Sequence, residues 1–331
     1  MDEIGGYIEF ERNHKKMLHE NAIKLNCGRR AFSYILESRN IKKIWIPRFT
    51  CASVIEPCIK RGVEYRLYSI GMDFLPNDKE IDPRDWVYII NYYGQISNDK
   101  ISRLRNRFPK TVVDNAQAYF QMPNDDVDTF YTCRKFFGVA DGAILYSSSR
   151  IEMQLDTDES YQRMTFLMGR YERNASEFYE LYNSNNEMFD NEQIKKMSLL
   201  TMNILKGIDY ENVKDVRTRN FEYLHEHLGD MNKLDLTVPE GAYMYPLYIN
   251  GGDIVRKRMI EKRIYIPILW PDVFNISQPN SIEYDMARNI LPLPVDQRYG
   301  GAEMERIVRE IRSLSCELSR AGEDHKDKGY L

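Results

Sequence analysis

The chain predicts an α/β fold: a mostly parallel central sheet with helices on both faces, followed by a smaller C-terminal α+β part. Three observations lead there. Short apolar, strand-like runs alternate with helix-period segments through residues 1–150. Beyond them the chain turns polar, tyrosine- and methionine-rich and mostly helical in pattern over 156–228. Its 331 residues exceed the length at which single cores stop growing, about 250–300 residues. Two domains are therefore expected, a large one over 1–205 and a small one over 206–331.

Taken in order, residues 28–39 read as a helix with Ala31, Tyr34 and Ile35 spaced to one face. Ile44-Trp45-Ile46-Pro47 reads as a strand, 51–61 as a helix, 65–68 as a strand and Trp86-Val87-Tyr88-Ile89-Ile90 as a buried strand. Residues 97–106 are helical in pattern, Thr111-Val112-Val113 is a strand and 142–146 another. The asparagine-rich Asn183-Ser184-Asn185-Asn186 predicts a break in the helical stretch. Strand character resumes over 243–249 and a helix over 253–262, and Ile290-Leu291-Pro292-Leu293 precedes a final amphipathic helix over 302–318. The charged tail 319–331 is expected to fray, and the sequence holds no internal repeat or low-complexity tract.

Composition excludes several classes. Hydrophobic residues make up 43% and charged residues 29%, which suits a soluble globular enzyme. A net charge of −4 from 46 basic and 50 acidic residues argues against a nucleic-acid footprint. The five cysteines are scattered without a CxxC pair, as in a cytosolic chain with reduced thiols. No signal-peptide pattern and no transmembrane-length apolar run is present, so a cytoplasmic protein without a membrane segment is expected. No metal is expected: His225 and His227 lie two apart on a helix and share no face, while His14, His19 and His325 have no partner spacing. P-loop, GxSxG and GxGxxG patterns are all missing.

What remains is a constellation of modest signals. Asn26-Cys27-Gly28-Arg29-Arg30-Ala31 opens the first helix, and free amides beside a glycine there favour a phosphate. Taken alone, the segment reads better as a helix start with two solvated arginines. Asp114 ends Val112-Val113-Asp114 at the carboxyl edge of the sheet, where open α/β folds bind ligands. As a strand-terminal aspartate in a turn it is equally well explained. Lys135 follows Thr129-Phe130-Tyr131-Thr132-Cys133-Arg134 and precedes Phe136-Phe137-Gly138. To attack a carbonyl, its amine must be neutral, with a pKa brought down from about 10.4 by desolvation or a nearby cation. Arg134, Phe136 and Phe137 are placed to supply those effects. An amine that forms an imine with an aldehyde and a carboxylate that holds a proton on a pyridine nitrogen, in this order, suit pyridoxal phosphate. Gln117, three residues past Asp114, has an amide suited to the 3′-oxygen of that ring.

With these segments in hand, the chain resembles the DegT/DnrJ-type sugar aminotransferases, fold type I pyridoxal-phosphate enzymes. Cys27-Gly28-Arg29-Arg30-Ala31 is similar to that family's Ser-Gly-Thr/Arg-Ala phosphate turn, and Pro47-Arg48-Phe49-Thr50-Cys51 to its Pro-x-Tyr/Phe-Thr segment. Asn91-Tyr92-Tyr93-Gly94-Gln95 resembles its aromatic-Gly-Gln turn, Asp114-Asn115-Ala116-Gln117 its Asp-x-Ala-Gln, and Ala287-Arg288-Asn289-Ile290-Leu291-Pro292-Leu293-Pro294 its closing Leu-Pro motif. Lys135 with Asp141-Gly142 matches the Schiff-base lysine and the turn after it. The resemblance implies pyridoxal 5′-phosphate as cofactor, a homodimer with sites at the subunit interface, and transfer of an amino group from an amino-acid donor, glutamate, to a nucleotide-linked keto sugar. It also implies Lys135 as the covalent anchor and proton carrier, Asp114 at the ring nitrogen, Gln117 at the 3′-oxygen, and Gly28, Arg29 and Arg30 at the phosphate.

Three departures bear on the site. Cys51 stands where the family places an aromatic that stacks on the cofactor, which shifts that duty to Tyr92 or Tyr93. The family's phosphate-binding serine is missing; Thr129 and Thr132 each offer a hydroxyl, and Thr132 is preferred. The Gly-Tyr-Asn-x-Arg loop that reaches across the dimer is absent around 183–197, where Phe189-Asp190-Asn191 stands in its place. A catalytically divergent, cofactor-binding homologue with a regulatory role is the alternative that these losses keep open. Dehydration is disfavoured, because family dehydratases carry histidine where this chain has Lys135.

Overall fold

Apolar runs of four or five residues, buried on both faces, build the centre of the molecule. The computed structural model describes residues 4–77 and 79–326, with side chains as far as Glu317. In chain order the elements are β1 (Ile23–Leu25), α1 (Gly28–Ser38), β2 (Lys43–Pro47), α2 (Ala52–Lys60), β3 (Glu64–Tyr68), β4 (Trp86–Ile90), α3 (Asn98–Arg107), β5 (Thr111–Asp114), β6 (Asp128–Thr132) and β7 (Ala143–Tyr146). They continue with α4 (Thr165–Glu172), α5 (Tyr179–Asn191), α6 (Leu199–Lys206), α7 (Tyr210–Leu228), β8 (Met244–Tyr248), α8 (Gly252–Glu261), α9 (Val273–Ile276), α10 (Ile282–Asn289), β9 (Ile290–Pro294) and α11 (Gly301–Lys326).

The first seven strands form one sheet in the order β1-β7-β6-β5-β4-β2-β3. Pairing is parallel from β3 through β6, and antiparallel at β6–β7 and β7–β1. Helices α2 and α3 join β2 to β3 and β4 to β5, and the central Val87, Ile89, Val112 and Val113 are buried with no polar alternation. The strands β8 and β9 form a separate antiparallel pair. One hydrophobic cluster runs from α1 and the central strands to α7, α8, β8, β9 and α11, so both sheets share a core. The expected mostly parallel sheet with flanking helices and a later α+β part is what the chain forms.

Two expectations are corrected. Asn183–Asn186 does not break a helix but lies inside α5, because Asn185 is buried with its Nδ2 donating to the Ala140 carbonyl at 2.9 Å and its Oδ1 accepting from Arg163 at 3.3 Å. The final helix does not end near 318 but runs on to Lys326, and residues 327–331 lie outside the described part.

Candidate active site

Register brings the chemistry together. Ile90 of β4 pairs with Asp114 of β5, and Asp114 pairs with Phe130 of β6, so the carboxyl ends of three parallel strands meet at one edge. At this edge open α/β sheets place their ligands. Asp114 is buried, accepting from the Ala116 N–H at 2.8 Å and from the Tyr88 hydroxyl at 2.7 Å. Burial pushes its carboxyl above the usual range, against the opposing pull of the Lys135 charge, the Tyr88 hydroxyl and the Ala116 amide. The pocket alone thus undercompensates the carboxylate, which favours a cationic group beside it.

Lys135 sits in a tight turn just past β6. Phe136 and Phe137 N–H groups both donate to the Cys133 carbonyl, at 3.0 and 2.9 Å, and the Cys133 N–H donates to Gly142 at 3.0 Å. Their rings turn inward against Tyr119 and Tyr243, which leaves Lys135 facing outward and exposed. The shielding expected from Phe136 and Phe137 is therefore not provided, because packing commits those rings to the core. Nor does Arg134 cover the amine: its guanidinium donates to Asn186 and lies 4.9 Å from the Phe189 ring. Within this chain Lys135 Nζ has the Tyr243 ring at 5.4 Å, and no hydrogen bond among the described residues. Asp141 anchors the far side of the turn, accepting from the Ser198 N–H at 2.8 Å, the Ser198 hydroxyl at 2.7 Å and the Thr201 hydroxyl at the start of α6.

Gln117 is buried and its Oε1 accepts the Tyr93 N–H at 2.8 Å, while its amide NH2 has no partner among the described residues. That contact depends on the Asn91-to-Gln95 turn, where Tyr93 and Gly94 take φ of 53° and 75° in succession. A Cβ on Gly94 would also sit 3.0 Å from Pro239. Gln95 then pairs with the Thr237 N–H and carbonyl, each at 2.9 Å, tying the turn to the chain ahead of β8.

At the start of α1, Cys27 supplies no side-chain cap, and the Gly28 and Arg29 amides have no partner among the described residues. Thr132 lies against this start: its Cβ is 3.8 Å from where a Gly28 Cβ would be. Thr129, by contrast, is buried and donates its hydroxyl to Val127 at 3.1 Å. Arg29 pairs with Asp190. Arg30 is buried, donating to Glu56 at 3.0 Å and to the Phe189 and Asp190 carbonyls at 2.8 and 3.2 Å, so its side chain clamps α1 to α2 and to the end of α5. Cys51 stands at the N-terminal position of α2 without a side-chain cap, its Sγ 2.8 Å from the Ser53 hydroxyl. Tyr92 and Tyr93 are spent on an aromatic cluster with Phe49, Phe74 and Trp270 and are almost fully buried.

The structure thus leaves Asp114 within range of the Lys135 charge, with the free Gln117 amide following Asp114, and places Gly28, Arg29 and Thr132 together at the α1 terminus. Two contributors are not evident from sequence: Tyr88, which holds Asp114, and Arg217, which donates to Phe136 beside Lys135 at 3.2 Å. Their only sequence signal is a polar group in an otherwise apolar period. Among the described residues no group of three His, Cys, Asp or Glu side chains is arranged to hold a metal, and no helix is long and apolar enough to cross a membrane.

No family model matches the sequence, and no curated protein matches it either. Solved structures do. The chain is similar to a DegT DnrJ EryC1 StrS aminotransferase from Brucella abortus, at 15% identity and a TM-score of 0.58, covering 88% of this chain and 85% of that one. It is also similar to DesV of S. venezuelae, solved in complex with a ketimine intermediate, at 14% identity and a TM-score of 0.63 over 88% and 84% of the two chains. A third is the sugar aminotransferase CalS13 from Micromonospora echinospora, at 12% identity and a TM-score of 0.60 over 89% and 88%. At these identities the likeness lies in the path of the backbone rather than in the side chains. The chain has the fold of the DegT/DnrJ/EryC1/StrS sugar aminotransferases.

Proposed function

We propose that this protein is a pyridoxal-phosphate-dependent aminotransferase that moves an amino group from glutamate to a nucleotide-linked keto sugar, in the cytoplasm, as a homodimer, for surface polysaccharide or glycan synthesis. One observation carries the reading: a buried, undercompensated carboxylate, Asp114, faces the charge of an unpartnered lysine, Lys135, at the ligand edge of this fold.

The residues present fit the cofactor. A carboxylate short of positive charge, an amide NH2 without a partner on Gln117 and two free amides at a helix start are the donor set its ring, 3′-oxygen and phosphate require. Bound there, the cofactor supplies an electron sink for the substrate carbon. Lys135 would hold the aldehyde through Nζ and would then move a proton at that carbon. Asp114 would keep a proton on the ring nitrogen, and Gln117 would donate to the 3′-oxygen. Gly28 and Arg29 would give their N–H groups to the phosphate, and Thr132 would add a hydroxyl; Arg30 would contribute through the backbone it stiffens. Cys51 would border the ring in place of an aromatic.

A second reading, a cofactor-binding homologue that does not transaminate, is favoured by the commitment of Tyr92 and Tyr93 to the Phe49 cluster, which leaves no described replacement for the ring that Cys51 lacks. One experiment separates them. The protein is incubated with pyridoxal phosphate, reduced with borohydride and peptide-mapped, and a parallel sample is mixed with glutamate. A reduced adduct on Lys135, with loss of the yellow absorbance on adding glutamate, is the expected result. An adduct whose absorbance no amino donor bleaches establishes the second reading, and no adduct on Lys135 ends both.

A further inference from the structure

Asp114 has a buried neighbour that donates to it as a neutral group. Tyr88 of β4 pairs with Val112, two residues before Asp114, so Tyr88 and Asp114 lie diagonally on one face of adjacent strands. The Tyr88 hydroxyl donates to Asp114 Oδ2 at 2.7 Å, while Oδ1 takes the Ala116 N–H at 2.8 Å. The phenol ring is 1% exposed and packed against Phe32, with centroids 4.6 Å apart, and Phe130, 6.2 Å away. Its own carbonyl accepts the Tyr68 hydroxyl at 2.8 Å, which fixes the strand beneath it. The ring has no room to swing, and Asp114 is its one acceptor among the described residues.

The groups that bear on this pair are few. Asp114 feels Lys135, Tyr88 and the Ala116 amide; Tyr88 feels Asp114, Cys51 and Cys58. Burial, with the Asp114 charge adding to it, holds the phenol well above its ordinary range, so it remains a neutral donor at neutral pH. A neutral phenol favours the ionised carboxylate by hydrogen bonding without cancelling its charge, as a lysine would.

We propose that Tyr88 is a positioning residue that holds Asp114 as a carboxylate, so that a proton shared with the cofactor's ring nitrogen stays on the nitrogen. This rests on the cofactor reading above. Without the hydroxyl, Oδ2 becomes more basic and draws that proton onto itself, leaving a neutral pyridine and a carboxylic acid.

The test compares wild type with Tyr88→Phe, which keeps the ring and removes only the donor. In the cofactor-free protein, the Asp114 carboxyl carbon is followed by NMR against pH, its signal assigned by loss in Asp114→Asn. Its midpoint is expected to rise by about one pH unit in Tyr88→Phe. In the loaded protein, the signal of a 15N-labelled ring nitrogen is expected to move from the protonated towards the neutral position. If Tyr88→Phe does not fold, 3-fluorotyrosine placed at position 88, a stronger donor, is expected to move the carboxyl midpoint down. An unmoved midpoint in the variant that folds, or a ring nitrogen equally protonated in wild type and Tyr88→Phe, overturns the proposal while leaving the cofactor reading intact. Wild type that takes no cofactor on Lys135 overturns the cofactor reading itself.

Discussion

Arg217 of α7 lies with its guanidinium 4.6 Å from the Phe136 ring and donates Nη2 to the Phe136 carbonyl at 3.2 Å. Phe136 directly follows Lys135, so this contact fixes the backbone that presents the amine. Arg217 Nε also donates to Gln297 Oε1 at 2.7 Å, and Gln297 Nε2 returns to the same Phe136 carbonyl at 2.8 Å. A further bond from Nη1 to the Ala242 carbonyl, at 2.9 Å, ties the assembly to the chain before β8. Burial pulls the guanidinium down to about 10, which still leaves it charged at neutral pH. The charge is dispersed over carbonyl dipoles, and among the described residues no carboxylate lies at salt-bridge distance.

Arg217→Leu should therefore strip donors from two buried carbonyls at once. Each hydrogen bond to a charged group is worth about 1.5–3 kcal/mol, so a loss of about 3 kcal/mol or more is expected in urea unfolding. Arg217→Lys should recover only part of it, because an ammonium cannot reproduce the planar fork. In both variants borohydride trapping at Lys135 should fall more than cofactor-free stability alone accounts for. Trapping equal to wild type would mean that the turn does not depend on Arg217.

The turn is held at its other end by Gly142, whose φ is +118°. A Cβ there would meet Thr201 Cγ2 at 3.1 Å and Cys133 Cβ at 3.2 Å. Gly142→Ala combines a left-handed backbone with overpacking and should cost about 1–3 kcal/mol. The thermal midpoint reads the loss; an unchanged midpoint would show that the loop relaxes freely.

The legible parts of this molecule are those whose signal is local. Trp86 to Ile90 and Thr111 to Val113 are apolar runs that make sense only as buried parallel strands, and Asp114 and Lys135 lie at their carboxyl edge. The strand β1, three residues long, shows no period of its own and exists because Ile23, Lys24 and Leu25 pair with β7. The strand Asp128–Thr132 mixes polar and aromatic residues; Asp128 is buried because Arg39 bonds both its carboxylate oxygens, at 2.7 and 2.8 Å. Tyr88 and Arg217 were invisible as site residues because their partners lie 26 and 81 positions away. Arg30 is the reverse case: its place in a phosphate-like turn is read locally, while its side chain answers to Glu56 and the end of α5.

His19 gives a prediction in pH. Its Nε2–H donates to the Tyr119 carbonyl at 2.9 Å, so Nδ1 accepts from the Tyr146 hydroxyl at 3.0 Å and the ring is neutral. Tyr131 lies 4.6 Å from it, and burial pulls its pKa from 6.5 to about 4. Between these values the unfolded chain binds a proton that the folded one refuses. The contribution is fully present above pH 6.5 and lost as pH falls to about 4, a swing on the order of 3 kcal/mol. The measurement is the urea midpoint from pH 7 down to pH 4.5 in wild type and in His19→Gln. Wild type should lose more over that interval; parallel curves would remove His19 from the acid response.

Lys135 and Asp114 separate activity from stability in opposite ways. Lys135 is exposed and has no hydrogen bond among the described residues, so Lys135→Ala should leave folding within about 0.5 kcal/mol of wild type. It should nevertheless abolish the borohydride adduct and all turnover. Asp114 is buried, and its carboxyl is pushed above the usual range, so the folded state resists its charge at neutral pH. A group shifted that way stabilises the fold below its unfolded pKa and ceases to do so as pH rises through the folded one. Asp114→Asn removes the resisted charge while the amide oxygen still accepts one donor. Its cofactor-free form should therefore melt at or above the wild-type temperature at pH 7, yet glutamate turnover should fall at least about a hundredfold because the ring nitrogen loses its counter-charge. A variant both less stable and fully active would invert the assignment, making Asp114 a structural carboxylate.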